Sequence, residues 1–235
     1  MVKIYRNIRQ KLLSESKTGK YIKYAVGEIV LVVIGILIAL QVNNWNEGRK
    51  SKLQQTVFLK NIRQDLMNDL VQLDKIIDYQ TKKLQVVTAL SEELTHEKDF
   101  NKIENLFTTI QNTTNATFFA NTGAYTTSGT SGVLDNLQPD SLKIAITTLY
   151  ERYYKRLIYN GEIYDNRTDE VVILRGKYFN KLTGTLTNKE VINDSEFINL
   201  TSIALYNNGN YVSLSNSTKK EIEKVVSLVD ENLKD

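Results

Sequence analysis

The stretch Tyr24–Trp45, YAVGEIVLVVIGILIALQVNNW, constrains this chain more than any other. Twenty-two residues at 1.5 Å rise make a helix of about 33 Å, the thickness of a hydrocarbon core. Tyr21 and Tyr24 stand at one edge and Trp45 at the other, where interfacial aromatics anchor a span. The 235 residues therefore divide into a basic cytoplasmic or interfacial arm (1–20), a transmembrane helix (21–45) and one further domain (46–235).

Charge orients the span. Residues 1–23 carry seven basic side chains against Glu15 alone, a net of +6 in a chain whose total is +3. Arg6, Arg9 and Lys11 belong to the segment MVKIYRNIRQKLL, whose Ile4, Tyr5, Ile8, Leu12 and Leu13 fall at helical spacing. The expected partner of such an arm is phospholipid: apolar face down, cations against anionic headgroups. A basic excess before the span predicts a cytoplasmic N-terminus and residues 46–235 outside, which in a bacterium is the periplasm. A cleaved signal peptide is the competing reading. The long basic region and the lack of a small-x-small site near Leu40–Asn44 favour an uncleaved signal-anchor. With the basic residues in the arm, nothing points to nucleic acid.

Helical spacing puts Glu28, Val32, Gly35, Ala39 and Val42 on one face of the span. Gly35 and Ala39 form a small-xxx-small pair, which lets a second helix approach closely. Glu28 is the one acidic residue inside the span, and such charges face a partner, water or the interface. The expected partners are a second copy or another membrane protein, through Glu28, Gly35 and Ala39.

The run KYIKYAVGEIVLVVIGILIALQVNNWNE, behind RNIRQKLLSE, resembles the signature GEI-x-LV-x-x-GI-x-IALQ-x-NNWNE of a family of bacterial single-pass membrane proteins of unknown function. SGTSGVLDNLQPDSLKIAITTLYERYY resembles a second block of that family, an SG-x-L turn leading into a helix that ends in paired tyrosines, here Tyr153 and Tyr154. The resemblance implies an inner-membrane anchor and brings no catalytic residue with it.

The rest reads as all-α. One proline and eleven glycines are few for this length, and both residues interrupt helices. From Leu66 a 4-3 spacing runs through Leu70, Leu73, Ile77, Gln80, Leu84, Val87, Ser91 and Leu94, a coiled-coil or bundle stripe. Unbroken from Glu47 to His96 this helix is about 75 Å long, so it either joins neighbouring copies as a stalk or packs on later helices. Phe100–Ile110 predicts a second helix, and residues 111–132 the main loop, anchored by Phe118, Phe119 and Tyr125. Pro139 opens a third helix with Leu142, Ala145, Ile146, Leu149, Tyr153 and Leu157 on its apolar face. A fourth is expected after Gly161, and a short one over Phe197–Tyr206 ends before Asn208-Gly209. Thr187-x-x-Glu190 and Thr218-x-x-Glu221 resemble capping boxes, the second opening a final amphipathic helix with Ile222, Val225 and Val229. The whole predicts a long-helix antiparallel bundle.

The residue inventory offers chemistry little. With no cysteine and one histidine no His-rich zinc site can form, and His96, in the charged run THEKD, is expected at a solvated helix end rather than as a ligand or general base. The pairs Asp65/Asp69 and Glu92/Glu93 are expected on exposed helix faces, where solvation explains them. No catalytic, metal or cofactor residue is predicted. The leading reading is a non-enzymatic scaffold or assembly subunit; the alternative is a ligand-sensing helical module with Tyr125, Tyr150 or Tyr154 lining a pocket.

Overall fold

The computed structural model describes residues 18–111, 116–180 and 182–234. It is all-α apart from one two-residue hairpin. Helix α1 spans Thr18–Thr95, α2 Phe100–Gln111 and α3 Gly123–Ser131. Helix α4 (Asp140–Thr148) passes through a π-helical turn (Leu149–Tyr154) directly into α5 (Lys155–Arg175). Strands β1 (Phe179–Asn180) and β2 (Thr185–Leu186) pair antiparallel, and a 3-10 turn (Lys189–Asn193) leads into α6 (Ser195–Asn232). The chain forms two compact units, residues 1–54 and 55–235.

Within the first unit the described chain is helix α1 alone. Fifteen large apolar side chains between Ile22 and Trp45 are exposed. This helix is long and apolar enough to cross a membrane. The basic arm with Arg6, Arg9 and Lys11 lies outside the described residues, as does the Tyr21 side chain.

The second unit is built on the α1 segment from Gln55 onward. Its buried positions Leu59, Ile62, Leu66, Asp69, Leu73, Ile76, Gln80, Lys83, Val87, Leu90 and Leu94 make an unbroken 4-3 repeat, with Phe58 and Glu93 buried beside it. The predicted stripe shares Leu66, Leu73, Gln80, Val87 and Leu94 with it. At the alternate positions the buried residue precedes the predicted one: Asp69 rather than Leu70, Ile76 rather than Ile77, Lys83 rather than Leu84. The chain's own later helices cover this seam.

Cross-links fix the helix directions. Tyr154 reaches Asp69 and Tyr164 reaches Gln80, so α4–α5 runs parallel to α1. Asn208 meets Gln80, Lys219 meets Asp74 and Asp230 meets Arg63, so α6 runs antiparallel to both. Successive passes along α1 therefore alternate in direction. The chain first turns back along α1, through α2 and residues 116–122, and only then starts α4.

Several predicted breaks are absent. Residues 123–131, expected as loop, form α3, closed by Gly132 at φ +70°. That conformation is where glycine carries no Cβ penalty. Of the expected loop anchors Phe118 is buried and Tyr125 stacks on Tyr150, but Phe119 is 77 % exposed. Gly161 lies inside α5, with the Tyr211 hydroxyl and the Thr117 Cβ close against it. Helix α6 continues through Asn208-Gly209 because the buried Asn208 amide bonds to Gln80 and Tyr164, offsetting a glycine cost of about 1 kcal/mol. Thr218 caps nothing: its hydroxyl donates back to the Leu214 carbonyl at 3.0 Å in mid-helix. The helix start is capped by Asp194, which accepts from Glu196 and Phe197, and the 3-10 turn by Asn188 rather than Thr187.

The π turn has a sequence-level cause. Leu142, Ile146 and Leu149 are buried at 4-3 spacing, which continues to position 153. The residues buried instead are Tyr154, Leu157 and Tyr164, one position late. One extra residue is present, and a π turn absorbs it.

Candidate functional site

Two places carry side chains that packing alone does not explain. The first is the exposed span. Glu28, Gly35 and Ala39 are all exposed on α1, as are Tyr24 (64 %) and Trp45 (70 %). Nothing lies within 4 Å of where a Cβ at Gly35 would stand. Within the described residues this face is open to lipid or to another helix.

The second is a polar clamp on residues 116–124. Asp69, expected on an exposed face, is fully buried in the α1 seam. Its Oδ2 accepts from the Tyr154 hydroxyl at 2.7 Å. Its Oδ1 accepts from both the backbone N–H and the side-chain amide of Asn121, at 3.0 and 2.8 Å. One turn earlier Asp65 Oδ2 accepts from the Ala124 N–H at 3.1 Å and is half-buried. Gln72 bonds Phe119 twice, accepting from its N–H at 2.7 Å and donating to its carbonyl at 3.0 Å. Further along, Gln80 donates to the Ala116 carbonyl at 2.9 Å, and the Phe118 N–H donates to the Tyr211 hydroxyl at 2.9 Å.

Behind this clamp lies a second buried cluster. Tyr164 donates to Gln80 Oε1 at 3.0 Å, and the Asn208 amide donates to the same oxygen at 2.6 Å. The Tyr164 and Tyr211 rings stack with centroids 5.2 Å apart, and the Lys83 ammonium sits 5.4 Å from the Tyr164 ring centre.

Burial governs the ionisation of this region. It pushes the Asp69 carboxyl above the ordinary aspartate range, against the opposing pull of the Tyr154 and Asn121 donors. It also raises the Tyr150 and Tyr154 hydroxyls, and the Tyr211 hydroxyl up to about 12. These tyrosines stay protonated and act as donors and packing rings.

The expected tyrosine pocket is filled by its own walls. Tyr125 stacks on Tyr150 at 4.2 Å, and Tyr150 meets Tyr154 edge-on at 4.8 Å. Their hydroxyls bond to Glu151, the Asn121 carbonyl and Asp69 respectively. Of the second expected pair, Glu92 is exposed but Glu93 is buried, forming an ion pair with Lys102 and accepting from the Asp99 N–H at 3.2 Å. His96 is exposed, and no group of three His, Cys, Asp or Glu among the described residues could hold a metal ion.

Sequence reasoning missed Asp69, Lys83 and Asn208 because it sought the stripe richest in apolar residues. The signal was the neighbouring 4-3 register, which accepts a few polar members.

The arrangement holds a strap and joins helices. Its residues fall inside a match to a family model that extends over residues 28–209, a family of unknown function (DUF6090). The chain belongs to that family. No curated protein and no solved structure matches it. The DUF6090 match takes in the span from Glu28 onward, the clamp on residues 116–124 and the π turn. It ends at Gly209, beside the buried Asn208.

Proposed function

We propose that this DUF6090 protein is a non-enzymatic bitopic membrane protein. In this reading residues 21–45 cross a bacterial inner membrane with the N-terminus in the cytoplasm. Residues 46–235 stand in the periplasm as a helical scaffold or assembly subunit, associating with a second copy or another membrane protein through the span. The observation that supports it is the set of fifteen exposed large apolar side chains from Ile22 to Trp45. Burying each such side chain is worth about 1.5–3 kcal/mol, so leaving all of them in water is untenable and lipid is their natural environment.

Glu28, Gly35 and Ala39 add the reason to expect association. A carboxylate inside a span needs a partner or the interface, and small residues admit a close neighbour. The sensing alternative has less support, because the tyrosines that would line its pocket already satisfy one another.

Since nothing among the described residues approaches a Cβ at Gly35, Gly35→Leu leaves their contacts untouched and reports on association. In mild detergent the protein is expected to run as an oligomer that Gly35→Leu weakens. A monodisperse monomer in both forms contradicts the proposal.

A further inference from the structure

Residues 116–122 run along α1 outside any helix, and Gly123 and Ala124 open α3. Their partners on α1 step from Gln80 through Gln72 and Asp69 to Asp65 as the strap advances from Ala116 to Ala124.

Loop backbone is ordinarily satisfied by water at the surface. Here seven backbone groups between Ala116 and Ala124 are met by six side chains: Gln80, Gln72, Asp69 and Asp65 of α1, Tyr150 of the π turn and Tyr211 of α6. Gln72 takes both the N–H and the carbonyl of Phe119, as a neighbouring β-strand would. The strap's own side chains supply little: Phe118 alone is fully buried, edge-on to Tyr154 at 5.2 Å, while Phe119 and Thr122 are exposed. The cleft reads main chain, plus one aromatic, one Asn amide and the Thr117 hydroxyl, which donates to Asp165 at 2.9 Å.

We infer that this cleft between α1, the π turn and α6 is a binding site for an extended peptide segment of a partner protein, which the chain occupies with its own residues 116–124. The segment it takes has an aromatic side chain at the Phe118 place, a hydroxyl just before it and Asn three residues after it; the other positions are read mainly through their backbone. Binding in trans requires the strap to leave, so the site is self-inhibited until a competing segment displaces it.

The test uses the full chain in detergent and a fluorescein-labelled peptide of residues 116–124, ATFFANTGA, followed by anisotropy. Asn121→Ala removes one clamp bond from the strap and leaves the cleft intact, so peptide affinity is expected to rise about tenfold over wild type. Adding Gln72→Ala to that variant abolishes the gain, and a scrambled peptide does not bind. Should Asn121→Ala fail to fold by circular dichroism, Thr117→Val loosens the strap at its bond to Asp165 and serves in its place. A folded strap-weakened variant that binds no peptide, or binds the scrambled one equally, overturns the inference. Oligomeric state is read separately, so failure here leaves the span proposal standing, and the reverse.

Discussion

Replacing Asp69 by alanine is the sharpest test of how the domain is held together. The carboxylate is fully buried, faces no cation in the clamp, and has Asp65 one turn away. Its three donors are Tyr154 Oη–H and the two N–H groups of Asn121. Asp69→Ala leaves all three without an acceptor. At about 1–3 kcal/mol per orphaned group the gross loss is about 3–9 kcal/mol. Removing a buried carboxylate recovers part of that, leaving a net destabilisation of about 3–5 kcal/mol. Asp69→Asn keeps the side-chain oxygen for both Asn121 donors and alters only the Tyr154 bond, so it is expected to cost about 1 kcal/mol. Urea unfolding followed by circular dichroism gives both values. The pH dependence supplies a second reading. Because burial raises the folded pKa, the folded state binds this proton more readily than the unfolded chain does. The stabilisation this brings is complete below the unfolded value of 3.8 and is lost as pH rises through the raised one. An Asp69→Ala protein within about 1 kcal/mol of wild type refutes the clamp argument.

Two further predictions follow from the same packing. Glu93 has the opposite linkage: the hydrogen bond from Lys102 holds its carboxyl below the ordinary range, so its contribution is present above 4.5 and is lost as pH falls through the lowered value. Lys102→Met should flatten that acid limb in a pH-resolved melt, and an unchanged limb contradicts it. The π turn predicts that deleting the exposed Arg152 yields a continuous α-helix that still buries Leu142, Leu149, Tyr154 and Tyr164, with unfolding free energy within about 2 kcal/mol of wild type. Inserting an alanine at the same point turns Leu157 and Tyr164 by about 100° and should abolish cooperative melting; equal melting of the two variants contradicts the extra-residue account.

Periodicity revealed the long helix, the apolar face of α4 and the last helix, because each repeats its pattern over several turns. It failed where local and tertiary preferences conflict. Asn208-Gly209 reads as a stop, yet the Asn208 side chain has Gln80 and Tyr164 to bond across the core and the helix runs on. Residues 123–131 read as loop because GAYTTSGTS has weak helix propensity, but Asp65 meets the Ala124 N–H near its start and Gly132 closes its end. Asp69 is expected on an exposed face beside Asp65, because a carboxylate pair on a helix is ordinarily explained by solvation. In the fold Asp69 has three donors and Lys83 the face of Tyr164, and those partners come from residues 52 to 85 positions away. Sequence spacing holds no record of such pairs.

The central claim is that the span associates through one face, and cross-linking in native membranes tests it most directly. The chain has no cysteine, so a single introduced thiol reports without interference. Ala39 shares the face of Glu28 and Gly35, while Leu37 lies about 180° around the helix from Glu28. Under mild oxidation Ala39→Cys is expected to give a disulfide-linked dimer and Leu37→Cys none. Equal cross-linking at both positions, or none at Ala39 with the protein shown to be in the membrane, contradicts association of two copies through this face.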